Sequence, residues 1–143
     1  MKNKPVNEMK LYISAIPENE ALARACVSRF VSAADPTVAE LADVRCALSE
    51  AVTNCVVHAY KNTPGEIYIN ARLYGNRRLT LTVADKGCGI PDIALAMTPL
   101  YTTDKENERS GMGFAIMQSF SDKIRVRSKP GAGTKVFMEK YLR

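Results

Sequence analysis

Three polar side chains are spaced so that they share one edge of a predicted helix. Glu50, Asn54 and His58 follow one another at intervals of four residues, which advances them about 40° per step around an α-helix. A carboxylate one turn from a carboxamide can act as a general base beside a ligand for a metal or a phosphate. A polar helix edge with a His near its end explains the same pattern, so these residues define only a candidate site.

A second candidate is the glycine-rich segment from Asp85 to Ile90, which directly follows a predicted strand. Gly87 and Gly89 let the backbone turn sharply and come close to a flat ligand. A carboxylate at the strand end, Asp85, can accept a hydrogen bond from an exocyclic amine such as that of adenine. An ordinary glycine-rich turn is the alternative.

Two further segments could bind an anion or a base. Residues 109–114 open a predicted helix near Met112 and contain Gly111 and Gly113. Backbone N–H groups at a helix start form an anion site, and Arg109 beside them could hold a terminal phosphate. The segment lacks the Gly-Lys-Ser/Thr of a P-loop, and a flexible loop–helix junction is the alternative. Gly133-Thr134 before the last strand is uninformative alone.

Hydrophobic periodicity predicts the elements that must position these residues. It predicts three main helices and about five strands, segregated along the chain, which indicates an α+β sandwich with helices covering one face of a sheet. The predicted strands are 10–16, 67–74, 79–84, 123–127 and 134–139, and the predicted helices are 21–34, 36–60 and 114–120.

Local signals predict the boundaries and connections. Asp35 is the predicted N-cap of the second helix, with Pro36 at its first position. Gly75-Asn76 is the predicted turn of an antiparallel hairpin. Regular patterning fails from about residue 86 to 113, apart from a possible short helix at 92–97, and a loop of that length is typically functional.

Composition restricts the class of protein. The chain has 143 residues, 46% of them hydrophobic and 24% charged, which suits one globular domain and argues against a disordered chain. No apolar run approaches the roughly 20 residues of a membrane span, and residues 1–10 lack the apolar region of a signal peptide. A cytoplasmic protein without a membrane partner is therefore expected.

The net charge of +5 lies at the C-terminal end, since residues 121–143 carry seven Lys/Arg against two Asp/Glu. A basic segment could bind nucleic acid, but exposed positions on edge strands, where Lys opposes aggregation, are the favoured interpretation. The four cysteines show no metal-binding spacing and are predicted to be reduced, packed hydrophobic residues.

The order of the four segments resembles the GHKL ATPase superfamily, which includes the ATP-binding domains of gyrase, Hsp90, histidine kinases and MutL. The matching features are E-x-x-x-N-x-x-x-H on a helix, strand–D-x-G-x-G, a long loop ending in G-x-G, and G-T before a strand. The resemblance implies one domain over residues 1–143, with the Bergerat fold: a two-layer α+β sandwich of a mixed sheet with helices on one face. It also implies that ATP or ADP binds with Mg²⁺.

Within that superfamily, residues 49–54, 99–103 and 108–114 resemble the anti-sigma-F family of small serine kinases in endospore-forming bacteria. The resemblance implies that Glu50 and Arg109 are catalytic and that Asn54 holds Mg²⁺. Asp85 would bind the adenine amine, aided by Gly89 and Thr134. The full set of implied nucleotide-binding residues is Asn54, His58, Asp85, Gly87, Gly89, Thr102, Thr103, Ser110, Gly111, Met112, Gly113 and Thr134.

The family further implies protein partners rather than nucleic acid. The chain would inhibit a sporulation sigma factor, sigma-F, and phosphorylate a serine of its anti-anti-sigma antagonist. The first strand and helix would provide a homodimer face and the sigma-binding surface. Asn19, Glu20 and Arg24 are the candidate sigma contacts, and Thr53 is the candidate for coupling to the antagonist or to the loop. Two alternatives stay open: a nucleotide-gated anti-sigma module without phosphotransfer, and a nucleic-acid binder using the basic strands.

Overall fold

The computed structural model describes residues 4–61, 63–90 and 113–143. The possible short helix at 92–97 lies outside these residues. The described part of the chain has five strands and three α-helices, and Cys55–Ala59 extends the second helix as a π-helical turn. In chain order the elements are β1 Asn7–Ser14, α1 Glu18–Ser32, α2 Val38–Asn54, β2 Glu66–Leu73, β3 Arg78–Asp85, α3 Gly113–Phe120, β4 Lys123–Lys129 and β5 Gly133–Tyr141.

The strands form one sheet in the order β1-β2-β3-β5-β4, and every neighbouring pair is antiparallel. The expected α+β sandwich is confirmed, but the expectation of a mixed sheet is wrong for the described strands. Short turns join β2 to β3 and β4 to β5, which makes those pairs antiparallel. Two helices that run out and back join β1 to β2, so the chain re-enters the sheet at the end where it left.

The core lies between the sheet and the helices. Alternate residues of each central strand point toward the helices, as in Ile67, Ile69 and Ala71 of β2, and all three are completely buried. An apolar stripe of α2 supplies the opposite side, with Val44, Leu48, Ala51, Val52 and Cys55 all buried.

The start of α2 differs from the prediction. Asp35 is not the N-cap; it has a left-handed φ of 52°, and Thr37 caps the helix instead. The Glu40 N–H donates to the Thr37 hydroxyl at 3.1 Å, and the Thr37 N–H donates to the Glu40 carboxylate at 2.9 Å. This reciprocal capping box satisfies two backbone donors at once, which a lone Asp cap cannot do.

The end of α2 also differs from a regular α-helix. In the π-helical turn the Tyr60 N–H donates to the Cys55 carbonyl, five residues earlier, at 3.0 Å. The predicted single α-helix through Tyr60 is therefore wrong beyond Asn54. Because a π-helical turn holds more residues than an α-helical turn, His58 does not follow Asn54 with the predicted α-helical spacing.

Surface residues confirm one prediction about composition and correct another. Lys123, Arg125, Arg127 and Lys129 are exposed positions of the edge strand β4, as expected. All four cysteines are free, but Cys46 and Cys88 are exposed, so the prediction of packed cysteines is wrong for those two.

No helix in the described ranges is long and apolar enough to cross a membrane.

We expect Thr37→Ala to lower the free energy of unfolding by about 1 kcal/mol, because the N-cap hydroxyl is lost. The thermal midpoint should fall by about 3 °C for a domain of this size. Calorimetry on Thr37→Ala and Thr37→Ser tests this, since serine keeps the capping hydroxyl. Equal midpoints for the two variants would exclude the capping box as a source of stability.

Candidate functional site

The end of α2 faces the start of α3. A Cβ atom placed on Gly113 would lie 3.3 Å from the Glu50 Oε2 atom and 3.3 Å from both the Oδ1 and Nδ2 atoms of Asn54. The carboxylate and the carboxamide therefore point to the same place, against the first residue of α3. The absence of a side chain at Gly113 leaves the two groups room to meet a ligand.

A second cluster centres on the partly buried carboxylate of Asp85 at the end of β3. Its Oδ1 atom accepts hydrogen bonds from the Gly87 N–H at 2.9 Å and from the Thr134 N–H at 3.2 Å. Asp85 and Thr134 are paired residues of the β3–β5 ladder. The ladder thus brings together two segments that lie 49 residues apart in the sequence.

The other oxygen of Asp85 meets a cysteine. The Cys55 thiol of the π-helical turn donates to Asp85 Oδ2 at 3.5 Å. Burial, and after it the charge of Asp85, raises the pKa of Cys55 well above its ordinary value, so this side chain stays a thiol and a donor. Burial also raises the pKa of Asp85, against the opposing effect of its hydrogen bonds from Gly87, Cys55 and Thr134.

The loop after Asp85 is held tightly by backbone on two sides. A Cβ atom on Gly87 would lie 2.4 Å from the Ala59 carbonyl oxygen, and one on Gly89 would lie 2.3 Å from the Lys129 carbonyl oxygen. Gly89 also has a left-handed φ of 78°. Only glycine fits at either position. The neighbour in each case is the protein's own backbone, whereas the sequence predicts close approach to a flat ligand.

Hydrogen bonds complete the attachment of this loop. The Cys88 N–H donates to the Ala59 carbonyl at 2.9 Å, and the Gly131 N–H donates to the Cys88 carbonyl at 2.7 Å. The Ser128 hydroxyl accepts from the Ile90 N–H at 2.6 Å and lies 2.8 Å from the Thr134 hydroxyl. The loop is therefore anchored both to the end of α2 and to the β4–β5 turn.

The structure brings the predicted residues together in two groups: Glu50, Asn54 and Gly113 in one, and Asp85, Gly87, Gly89 and Thr134 in the other. His58 lies in the π-helical turn between them, and its carbonyl accepts from the Cys88 thiol at 3.4 Å. The remaining predicted site residues lie outside the described residues; they are Thr102, Thr103, Arg109, Ser110, Gly111 and Met112.

Sequence reasoning missed two residues of this site: Cys55 and Ser128. The sequence predicts Cys55 only as a packed hydrophobic residue, and Ser128 lies just beyond the predicted strand 123–127. Ser128 joins the site through its cross-strand pairing with Thr134, which the sequence does not show.

The candidate partner residues lie on the surface of α1 and the side of α2. Arg24 forms an ion pair with Glu20 at 2.7 Å, one helical turn apart. The Asn19 amide donates to the Ser14 carbonyl at 2.9 Å and so fixes the corner between β1 and α1. Thr53 is half-buried, beside Asn54 on α2.

Comparison with known proteins identifies the fold. The solved structure of the RsbU and RsbW domains of a Mycobacterium tuberculosis protein has the same fold, with a TM-score of 0.70 at 20% identity. The match covers 96% of this chain and 33% of that one. Residues 13–140 match the family model for the histidine kinase-like ATPase domain. Fold and site thus define the class: a histidine kinase-like ATPase domain.

Relatives narrow the class. The anti-sigma F factor of Thermoanaerobacter sp. is 49% identical over 136 residues, which cover 95% of this chain and 94% of that protein. The anti-sigma F factor of Clostridium acetobutylicum is 49% identical over 134 residues, covering 94% and 93%. The chain belongs to the anti-sigma F factor family.

We expect Asp85→Asn to weaken nucleotide binding strongly without unfolding the protein. The asparagine Oδ1 can still accept from Gly87 and Thr134, but its NH₂ group opposes the amine of an adenine. Loss of a hydrogen bond to a charged group, together with an unsatisfied donor, predicts a fall in ADP affinity of about 100-fold. Calorimetric titration measures it, with Asp43→Asn on α2 as the control.

The pH dependence of stability should separate the effect of Asp85→Asn on nucleotide binding from its effect on the folded protein. Because the pKa of Asp85 is raised on folding, the folded protein holds that proton more tightly than the unfolded chain. The stability gained by binding this proton more tightly is fully present when the pH is below the ordinary carboxyl pKa. It is lost as the pH rises through the pKa that Asp85 has in the folded protein. Asp85→Asn should therefore be at least as thermostable as wild type at pH 7 and lose that advantage in acid. A variant that is less stable at pH 7 would contradict this.

Proposed function

We propose that this chain binds ATP with Mg²⁺, inhibits the sporulation sigma factor sigma-F, and phosphorylates a serine of the corresponding anti-anti-sigma antagonist. As a member of its family, the chain is an anti-sigma factor and an ATP-dependent protein serine kinase. One observation carries the site assignment: Glu50, Asn54 and Gly113 converge at the C-terminal end of α2, while Asp85 and Thr134 meet beside the π-helical turn that follows it.

The Asp85 cluster is the proposed base pocket. Asp85 is anchored through Oδ1 by two backbone N–H groups, and its Oδ2 contacts the Cys55 thiol, so the carboxylate is oriented before a ligand arrives. It would accept a hydrogen bond from the adenine amine, and Gly87 and Gly89 would hold the loop in shape by packing against Ala59 and Lys129. Thr134 of β5 would also contact the nucleotide.

The Glu50–Asn54 group is the proposed phosphate and magnesium end. Mg²⁺ in nucleotide sites is held by one or two protein oxygens together with phosphate oxygens, and the Asn54 carboxamide beside the Glu50 carboxylate fits that requirement. The described residues contain no cluster of three His, Cys, Asp or Glu side chains that could hold a metal. A bound Mg²⁺ would neutralise charge on the phosphates.

Phosphotransfer then depends on positioning. Glu50 would accept a hydrogen bond from the antagonist's serine hydroxyl and orient it toward the terminal phosphorus. Arg109, with the backbone of Ser110, Gly111, Met112 and Gly113, would bind the phosphates, and Thr102 and Thr103 would add contacts from the same loop. The serine oxygen–phosphorus bond forms as the bond to the ADP leaving oxygen breaks, and the hydroxyl proton passes to the base.

Partner binding would use α1 and β1. Asn19, Glu20 and Arg24 would contact the sigma factor, and Thr53 would couple the antagonist or the loop to α2. The outer face of the sheet carries Tyr12, which is 64% exposed and lies 4.7 Å, ring centre to ring centre, from Tyr68. An aromatic pair on the first two strands, with Tyr12 exposed and Tyr68 half-buried, suits the proposed homodimer face. We place this switch in the cytoplasm, as one domain over residues 1–143.

The second candidate is a nucleotide-gated anti-sigma module that binds its partner without phosphotransfer. The convergence of Glu50 with Asn54 favours a kinase, because a module that only binds has no need of a carboxylate at the phosphate end.

The nucleic-acid alternative depends on β4, whose basic residues alternate along an exposed edge. It predicts binding to duplex nucleic acid that weakens steeply as the salt concentration rises.

We expect Glu50→Gln to reduce phosphotransfer at least 100-fold while leaving ADP affinity within about twofold, because general-base catalysis typically contributes this much. Transfer of labelled phosphate from ATP to the antagonist measures the first effect, and calorimetric titration with ADP measures the second.

Glu139→Gln makes the same chemical change on the outer face of the sheet, where Glu139 pairs with Arg78 at 2.7 Å, and it should leave phosphotransfer unaltered. Full labelling by Glu50→Gln would remove Glu50 from the reaction. A wild-type protein that binds nucleotide and sigma factor but labels nothing would favour the gated module.

We expect Arg24→Ala to weaken sigma-factor binding at least tenfold, as loss of a single important arginine contact does at protein interfaces. ADP affinity should not change, since Arg24 pairs with Glu20 on α1 and α1 contributes no residue to either site cluster. Surface plasmon resonance with sigma-F tests this, and Arg29→Ala, an exposed arginine of the same helix, is the control. Equal losses in the two variants would indicate a general charge effect.

A further inference from the structure

Tyr60 occupies a junction that no part of the proposed reaction uses. It directly follows the π-helical turn, and its hydroxyl donates to the Glu66 carbonyl at 2.7 Å while accepting from the Lys86 N–H at 2.7 Å. One oxygen atom therefore joins the end of α2, the first residue of β2 and the residue after Asp85.

The ring of Tyr60 is fixed as firmly as its hydroxyl. A Cβ atom on Gly65 would lie 2.5 Å from the ring carbons, so the ring lies directly on the backbone of Gly65. The Ala15 N–H donates to the Gly65 carbonyl at 2.9 Å, which holds that residue against the end of β1. The hydroxyl thus has a defined position, set by two strands and a helix.

The contact with Lys86 matters because of its neighbours. Asp85 precedes Lys86, and Gly87, which follows it, donates to the Asp85 carboxylate at 2.9 Å. A change in the Lys86 peptide therefore moves both the carboxylate and one of its two backbone donors. The Ala59–Cys88 hydrogen bond holds the loop from the same side, so Tyr60 and Ala59 together attach residues 86–88 to the end of α2.

We propose that Tyr60 is a positioning residue of the nucleotide site, which sets the orientation of Asp85 through the Lys86 peptide and so tunes affinity and preference for adenine. This inference rests on the proposed base pocket at Asp85. Tyr60 acts through the loop that carries Asp85, so its effect falls on binding of the base and not on the transfer step.

The test compares Tyr60→Phe with wild type and with Tyr141→Phe, an exposed tyrosine at the far end of β5. Phenylalanine keeps the ring on Gly65 and removes only the oxygen. We expect the dissociation constant for ADP to rise about five- to tenfold, as for loss of one hydrogen bond, here the bond from the Lys86 N–H. The preference for ADP over GDP should fall. Tyr141→Phe should match wild type.

Two readouts distinguish positioning from a loss of structure. Hydrogen exchange of the Lys86 amide should accelerate in Tyr60→Phe, while the amides of β2 and β3 keep their protection. With the antagonist as substrate, the KM for ATP should rise as the ADP dissociation constant does, and kcat at saturating ATP should stay within about twofold, because the groups at the phosphate end are unchanged.

The proposal is overturned if Tyr60→Phe keeps the wild-type ADP affinity and adenine preference, or if the Lys86 amide stays protected. It is also overturned if affinities for ADP and GDP fall equally together with protection across the sheet. Absence of nucleotide binding to the wild-type chain is a separate result, which would refute the base pocket itself.

Discussion

The partly buried carboxylate of Asp85, at the end of β3, is the constraint on which the rest of the site depends. An ion in that environment is stable only where donors surround it, and Asp85 receives them from its own loop, from β5 and from the end of α2. Each donor fixes a different element relative to β3. The polar requirement of one side chain thereby determines how loop, sheet and helix meet.

Helix α2 carries this constraint to the other end of the site. Its α-helical part places Glu50 and Asn54 beside α3, and its π-helical turn places Cys55 and the Ala59 carbonyl beside the Asp85 loop. One continuous element, α2 with its π-helical turn, would therefore contact both ends of a nucleotide. One continuous segment would set the distance between the proposed base and phosphate ends more reliably than two independent loops could.

The sequence predicted the layers, and the turn after β3, because both depend on local information. The apolar stripe of α2 and the alternation in β2 report which side is buried, and D-x-G-x-G reports a turn that only glycine can make. The prediction failed where neighbouring residues could serve the same purpose, as with Asp35 and Thr37, since the reciprocal contact with Glu40 decides between them. It also failed for the π-helical turn, which no composition or periodicity signals, and for Tyr60 and Ser128, whose roles arise from residues distant in the chain.

The pairing of Asp85 with Thr134 in the β3–β5 ladder has a consequence for how such a domain can evolve. Side chains alternate between the faces of a sheet, so adding or removing one residue within either strand would turn half of the site toward the opposite face. Substitutions on the outer face leave this relation intact, whereas a change in strand length does not. The ladder can therefore diversify in composition but not in length, and new sequence can enter only through the connections between strands.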